Sequence, residues 1–331
     1  MIKNLLMVLA LALLHAAAAM AARAPRDAGA EIDVYAAWRG TAAGILAARG
    51  DAHSLAAAAA LTYVGPASRP RTDVMKAASA ALDFAVKASE LAPEDAAISW
   101  LRLQLCANAV ECDLRDAATT MRWVDAENAA AWLPTLATAQ RDRDTVEVDR
   151  LLMDMAHDSR FDLYGNLTIV RIYDALKKVR GQLPGNYARS DLARLTEAMG
   201  VGSEAVTPSF SPLINACREA PGTERRESCL KLSKTLQRSD AVLAQLVGFA
   251  IERRLTPPDS KDQRMLAERR RVLEWRLASA NLSDSPLLPW LQNARARARA
   301  AIIRATPREE DSCTAILRAH GMPLNPPEEH R

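Results

Sequence analysis

The chain has 331 residues, of which 49% are hydrophobic and 25% are charged, and its formal net charge is +3. These values are typical of globular proteins and exclude a long disordered chain, a collagen-like chain and a small disulfide-dense domain. The near balance of charges also excludes a nucleic-acid binder that relies on bulk positive charge. Aromatic residues make up only 5% of an alanine-rich chain, which favours closely packed helices over sheets.

The first 22 residues have the features of a secretory signal peptide. Lys3 supplies the positive charge, residues 5–14 form an apolar segment, and small residues suited to cleavage lie between Ala19 and Ala22. An uncleaved anchor is the alternative, but the apolar segment is too short for a stable membrane span. We therefore expect cleavage, no stable membrane insertion afterwards, and a periplasmic or secreted location in a bacterium.

Glycine and proline residues divide the next part of the chain into predicted helices. One helix is expected over residues 27–40, ending at Gly40, and an alanine-rich helix over residues 41–62. A longer amphipathic helix is expected over residues 73–91, where apolar side chains recur at helical spacing. The sequence thus predicts a run of helices with short connections.

Two segments of this run resemble each other. Residues 91–101 read LAPEDAAISWL and residues 124–133 read VDAENAAAWL, so a polar turn and small residues precede Trp100 and Trp132 in the same way. A self-similar unit of about 30 residues is typical of stacked helical hairpins.

The spacing around these segments carries a resemblance to a known family. Ala81, Ala88 and Pro93 stand at the small, small and proline positions in the second helix of a tetratricopeptide repeat, and the two tryptophans stand at its first-helix aromatic position. Residues 73–160 therefore resemble a degenerate tetratricopeptide-type protein. The resemblance implies an all-α fold of stacked antiparallel helical hairpins, a tetratricopeptide-like α-solenoid, and it carries no catalytic residue.

A looser segment follows this repeat region. Residues 182–205 contain several glycines, and a short helix near residues 190–199 is expected to stop at Gly200 and Gly202. We place the division between two helical parts here. The predicted organisation is a repeat region at residues 23–182, a C-terminal helical region at residues 203–320 and an extended proline-rich tail at residues 321–331.

The C-terminal region is also expected to be helical. Residues 240–251 are apolar nearly all round, which predicts a buried central helix. Gly248 in its middle is interpreted as a close helix contact, with a hinge as the alternative.

The five cysteines fit an exported chain, in which disulfides persist. Cys106 with Cys112, and Cys217 with Cys229, are the expected structural pairs, because each pair would cross a short connection between helices. A zinc site is disfavoured because no histidine lies near either pair. Cys313 has no partner in these pairs, and it is either a buried thiol or half of an intermolecular disulfide.

Established catalytic signatures are absent from the sequence, which has no H-E-x-x-H, no G-x-S-x-G and no phosphate-binding glycine loop. His157, with Asp154 and Asp158 beside it, is interpreted as part of a solvated helix end. No catalytic residue, cofactor or metal ion is predicted.

The strongest charged feature is an arginine-rich segment near the C-terminus that contains no acidic residue. The arginines flank the apolar stripe of a predicted helix on both sides, which is typical of long side chains that cover a buried helix. Binding of an anionic surface is the alternative function. The candidate residues for that alternative are Arg295, Arg297, Arg299 and Arg304.

The function expected for the whole chain is that of a periplasmic, non-catalytic helical-repeat protein that binds another envelope protein or a peptide, because stacked hairpins offer a large surface. A second alternative, beside binding of an anionic surface, is a cell-wall-directed hydrolase that uses a carboxylate such as Glu309 or Glu310. This activity requires a pocket with two carboxylates about 5–9 Å apart. Trp100, Trp123 and Trp132 are expected in the core more than along a ligand groove.

Overall fold

A computed structural model describes residues 28–63, 70–183, 185–218, 222–282 and 289–327. The predicted signal peptide and residues 328–331 of the predicted tail lie outside the described residues. The described part contains fifteen α-helices and three 3₁₀ turns, and it contains no β-strand. The predicted all-α class is therefore confirmed.

The helices follow one another through the whole described chain. The first eight are α1 (Ala28–Ala47), α2 (Ala52–Thr62), α3 (Arg71–Leu91), α4 (Ala96–Asn108), α5 (Leu114–Val124), α6 (Leu133–Arg141), α7 (Thr145–His157) and α8 (Gly165–Lys178). The remaining seven are α9 (Asp191–Val206), α10 (Ser211–Arg218), α11 (Thr223–Leu236), α12 (Val242–Leu255), α13 (Lys261–Leu282), α14 (Pro289–Ala305) and α15 (Glu309–Ala319). The 3₁₀ turns are Ala129–Trp132, Arg180–Gln182 and Gly185–Ala188.

The expected helix end at Gly40 is wrong, because α1 continues to Ala47. A glycine inside a helix costs only about 1 kcal/mol relative to alanine, and the alanine-rich sequence on both sides outweighs that cost. The break comes at Gly50, whose φ of 73° is left-handed. Asp51 then caps α2 by accepting a hydrogen bond from the backbone N–H of Ser54. The chain divides after Gly40 into two units, and residues 41–331 form the larger one.

Within that larger unit, each helix from α2 to α7 packs against the next one in the chain. We call this run the α2–α7 series. Small buried side chains allow the close approach of neighbouring helices, as at Ala81 and Ala88 of α3, both fully buried. Asp95 caps α4 and Asp113 caps α5, as the polar turns before these helices predict.

Helices α8 and α9 pack against each other and against the α2–α7 series. Both contact α2, and α9 also contacts α4. The indole Nε1 of Trp100 on α4 donates a hydrogen bond to the carbonyl oxygen of Val206 at the end of α9, at 2.9 Å. Trp100 is completely buried. The first helices of the series are therefore covered by a later part of the same chain.

The sequence predicts that the helix near residues 190–199 stops at Gly200 and Gly202. This prediction is wrong, since α9 continues to Val206. A Cβ atom on Gly202 would lie 3.1 Å from Cγ1 of Ile169 on α8. Gly202 therefore serves close packing of α8 and α9 and does not end the helix.

The C-terminal helices pack on earlier ones and on each other. Helix α11 contacts α7 and α12, α12 contacts α13, and α13 contacts α15. Helix α14 contacts α8 and α9. These contacts run across the division that the sequence places near residues 182–205.

Gly248 lies where α12 crosses α11. A Cβ atom at this position would lie 2.6 Å from the carbonyl oxygen of Ser233 and 2.8 Å from Cβ of Leu236. Real Cβ atoms do not approach so closely, so only glycine fits. The interpretation of Gly248 as a close helix contact is confirmed.

Both expected disulfides are present. Cys106 and Cys112 are joined with a Cα–Cα distance of 5.4 Å, and Cys217 and Cys229 with a distance of 5.6 Å. Cys313 has a free, buried thiol whose pKa is raised to about 12, mainly by burial. The two disulfides fit a protein that works outside the reducing cytoplasm. Among the described helices, none has the length and apolar character needed to cross a membrane.

Candidate functional site

The three tryptophans of the α2–α7 series differ in their exposure to solvent. Trp100 is covered by α9, whereas Trp123 at the end of α5 leaves 73% of its surface exposed. Trp132 is intermediate. The expectation that all three lie in the core is therefore wrong for Trp123.

Trp132 lies in a 3₁₀ turn before α6. Its Nε1 donates a hydrogen bond to a carboxylate oxygen of Asp158 at 2.9 Å. The Arg122 guanidinium lies over its ring, 4.2 Å from the centroid. The α-helix begins only at Leu133 because Pro134, which has no N–H to donate, suits the first turn of a helix. The tryptophan that the sequence aligns with Trp100 thus takes a different position.

The outer side of α7 exposes further large apolar side chains. Val146 is 79% exposed and Met153 is 49% exposed. Arg150 lies between them and forms ion pairs of 2.6 Å with both Glu147 and Asp154. These residues recur at helical spacing, so they form one stripe of α7.

Trp132 links the end of α5 to the end of α7, since Arg122 of α5 lies over its ring and Asp158 after α7 accepts its hydrogen bond. Burial lowers the pKa of Arg122 on α5, and the nearby positive charge of Arg150 on α7 lowers it further. Trp123 directly follows Arg122 in the chain. We call Trp123, Val146 and Met153, the exposed large apolar side chains of these two helices, the α5–α7 surface.

A second candidate region is a pocket of about 430 Å³ where three connections meet. The connections are those between α7 and α8, between α11 and α12, and between α14 and α15. Both acidic and basic side chains line this pocket. The charged ones are Arg160, Asp162, Arg238, Asp240 and Arg308.

Asp240 ties two of these connections together. Its two carboxylate oxygens accept hydrogen bonds from the backbone N–H groups of Leu163, at 2.8 Å, and Tyr164, at 2.7 Å. Burial raises the pKa of Asp240 to about 7, and the charge of Asp162 also raises it, while the two amide hydrogen bonds act in the opposite direction. Asp240 therefore changes its protonation near neutral pH.

Tyr164 occupies a left-handed backbone conformation with φ of 57°, which is uncommon for a residue other than glycine. Its hydroxyl donates a hydrogen bond to Asp125, and its backbone N–H is held by Asp240. Arg160 also donates to Asp125 and pairs with Asp162 at 3.0 Å. Burial, followed by the Asp125 contact, raises the pKa of the Tyr164 phenol. The hydroxyl thus stays protonated as a donor.

The carboxylates that the sequence suggests for hydrolysis do not line this pocket. Glu309 accepts a hydrogen bond from the backbone N–H of Val242 at 2.8 Å, and burial of its side-chain carboxyl group raises the pKa of that group. Glu310 forms an ion pair of 2.9 Å with Arg276.

The two acids that do line the pocket, Asp162 and Asp240, were missed at the sequence level. The available signal was their position, since Asp162 lies in the break before α8 and Asp240 directly precedes the apolar segment that forms α12.

The arginines suggested for anion binding lie along α14, and three of the four contact other helices. Arg297 pairs with Asp191 at 2.7 Å, and Arg304 pairs with Asp174 at 2.6 Å. Arg299 donates to Oδ1 of Asn281 at 3.1 Å. Arg295 is partly exposed.

His157 is exposed at the end of α7, and its Nδ1 lies 2.7 Å from the carbonyl oxygen of Met153. In the part of the chain that the structure describes, no three His, Cys, Asp or Glu side chains are grouped to hold a metal ion. Comparison of the chain with protein-family models, with curated proteins and with solved structures finds no match.

Proposed function

We propose that this protein is a non-catalytic helical scaffold of the bacterial cell envelope, which binds another envelope protein or a peptide through the α5–α7 surface. On this proposal the α2–α7 series is a degenerate tetratricopeptide-like stack. The observation that carries the proposal is the 73% exposure of Trp123, together with the exposed apolar stripe of α7.

The energetics of Trp123 favour an interface. A large indole left in water gains roughly 2–3 kcal/mol when a partner buries it. Tryptophan is among the residues most enriched at the energetic centres of protein interfaces. Val146 and Met153 extend the apolar area, and the ion-paired Arg150 supplies a polar neighbour. This combination of apolar centre and charged edge is typical of a partner-binding surface.

The packing of α8 and α9 supports the choice of this surface over the part of the α2–α7 series that these two helices cover. Both helices cover α2, and Trp100 of α4 is bonded to Val206. A peptide would have to displace these helices to reach the same side of α2 and α4. The α5–α7 surface needs no such displacement.

The contacts of the buried acids also favour a scaffold over a hydrolase. Both oxygens of Asp240 accept backbone hydrogen bonds, Asp162 pairs with Arg160, and Glu309 accepts from a backbone N–H. Asp240 and Glu309 thereby hold the backbone of another connection or helix start. The envelope location is supported by the signal-like N-terminus and by the two disulfides.

Site-specific photocrosslinking in cells tests the proposal. A photoreactive phenylalanine analogue replaces Trp123 or Met153 in the exported protein, and the control replaces Met265 on α13, which is 51% exposed. We expect the same single partner to be captured from positions 123 and 153 but not from position 265. With that partner purified, Val146→Glu should weaken binding by roughly tenfold or more, and Met265→Glu should not. Equal capture from all three positions, or none from positions 123 and 153, would contradict the proposal.

A further inference from the structure

An open cleft of about 660 Å³ lies between the start of α2 and the end of α8, away from the residues of the α5–α7 surface. Its charged lining comes from three elements. His53 belongs to the first turn of α2, most of the others belong to the last two turns of α8, and one belongs to the 3₁₀ turn that follows. The charged or titratable lining residues are His53, Arg171, Asp174, Lys177, Lys178 and Arg180. We call this the basic cleft.

Positive charge is concentrated in the basic cleft. It has four permanently charged cations and one carboxylate, whereas the whole chain has a formal net charge of only +3. The single carboxylate, Asp174, is paired with Arg304 of α14 through distances of 2.6 and 2.7 Å. Its negative charge is therefore already balanced from outside the lining.

Only one cation of the lining is balanced by an acid of the protein. Arg171 pairs with Asp95 at 2.7 Å, and the same carboxylate lies 3.6 Å from Nε2 of His53. Lys177, Lys178 and Arg180 are exposed and form no ion pair with any described residue. The cleft thus combines one rigidly held guanidinium with three cations that are available to a ligand.

Helix geometry explains part of this pattern without a ligand. Lys177 and Lys178 lie in the last turn of α8, where cations interact favourably with the helix dipole. The carboxylate of Asp95 likewise accounts for the convergence of Arg171 and His53. Neither effect accounts for Arg180, which lies beyond the helix and lines the same cavity. Like charges gathered around one cavity repel each other, and a bound anion removes that repulsion.

We propose that the basic cleft binds the phosphate group of a ligand that has at least two negative charges, either a phosphorylated small molecule or a lipid headgroup. Lysine ammonium groups bind phosphate as point charges, and arginine binds it through its planar fork. A volume of about 660 Å³ lies within the range of small-molecule sites and exceeds the size of a phosphate group alone. The cleft therefore has room for a phosphorylated molecule larger than phosphate itself.

Calorimetric titration of the folded, disulfide-bonded protein with pyrophosphate at low ionic strength tests this site. The test variant is Lys177→Gln with Lys178→Gln. The matched control is Lys231→Gln with Lys234→Gln on α11, which removes the same charge from two exposed lysines that also have no ion pair to a described residue. We expect roughly tenfold weaker binding in the test variant and less than about a twofold change in the control. Added salt should weaken the binding of the unmodified protein.

Vesicle flotation separates the two sources of phosphate. Vesicles of phosphatidylcholine with phosphatidic acid are compared with vesicles of phosphatidylcholine alone, using the same variants. Binding to pyrophosphate alone assigns a free ligand, and retention on the phosphatidic acid vesicles that is lost in the test variant assigns a headgroup. No binding to either probe, or equal weakening in the test and control variants, overturns the proposal.

Discussion

At the scale of single residues, Asp240 is the group whose surroundings most alter its chemistry. Its carboxylate holds the backbone of Leu163 and Tyr164, yet burial raises its pKa to about 7. An acid with a raised pKa binds a proton more tightly in the folded than in the unfolded state. Its contribution to stability is therefore fully present below the unfolded pKa, near 4, and is lost as the pH rises through 7.

This sign gives a test with Asp240→Asn, which has no charge to titrate. The free energy of unfolding of the unmodified protein, minus that of the variant, should decrease between pH 4 and pH 7, by at most about 1.4 kcal/mol per pH unit. The difference removes the contributions of the other acids, such as Asp95, whose pKa is lowered by its hydrogen bond to Arg171 despite an opposing effect of burial.

Denaturant unfolding at a series of pH values measures the difference. The asparagine side chain accepts only one of the two backbone hydrogen bonds, and this loss shifts the difference without causing its decrease with pH. A difference that stays constant over the pH range would show that folding does not raise the pKa of Asp240.

The role of a residue could be predicted from the sequence when its partner lies a few positions away, and could not when its partner is remote. Asp113 and Cys106 act on groups a few positions away, so capping and disulfide pairing followed from spacing. Asp240 becomes buried only because the chain near Leu163 and Glu309 folds onto it, and no local pattern reports such a contact. For the same reason the basic cleft was not predicted, since His53 and Arg180, which are remote in sequence, line one cavity.

At the scale of helices, the glycines show where sequence rules for helix ends apply and where packing overrides them. Gly50 ends a helical segment and has a positive φ, as a stop signal requires. Gly248 lies inside α12, where a Cβ atom would collide with α11, and Gly202 lies inside α9, where a Cβ atom would fit only tightly against Ile169 of α8. The apolar segment around Gly248 indicates its use in packing, whereas no such signal surrounds Gly202, which is why α9 is predicted too short.

Gly248→Ala and Gly200→Ala form a matched pair that tests this distinction. The added methyl at position 248 would lie 2.6 Å from a backbone oxygen of α11, so we expect destabilisation by about 1–3 kcal/mol. At position 200 nothing lies within 4 Å, so the higher helix propensity of alanine should stabilise the protein by about 0.5–1 kcal/mol.

Both values come from chemical unfolding of the two variants beside the unmodified protein. Equal effects of the two substitutions would mean that helix propensity, and not the crossing of α11 and α12, determines the response at Gly248.

At the scale of the whole molecule, the larger unit is held together by contacts between remote parts of the chain. Asn166 of α8 donates hydrogen bonds of 2.8 Å to Thr306 and Ser312 at the C-terminal end. The backbone N–H of Glu309 donates to the carbonyl oxygen of Asp240 at 2.7 Å. The sequence predicted the helices but not these contacts, because periodicity reports which face is buried and not what covers it.

Removing the hydrogen bond between Trp100 and Val206 tests whether the larger unit unfolds as one cooperative unit. Trp100→Phe removes the buried hydrogen bond and leaves a carbonyl oxygen at the end of α9 without its partner, so we expect a loss of about 2 kcal/mol or more. Trp123→Phe, at an exposed site, is the control and should change stability by less than about 0.5 kcal/mol.

Because contacts between helices cross the sequence region near residues 182–205, calorimetry should show one main transition for residues 41–331. Trp100→Phe should lower that entire transition. If instead two transitions appeared and only one moved, the helices before and after this region would be independently folding parts. The packing of α8 and α9 on α2 and α4, and of α14 on α8 and α9, would then contribute little to stability.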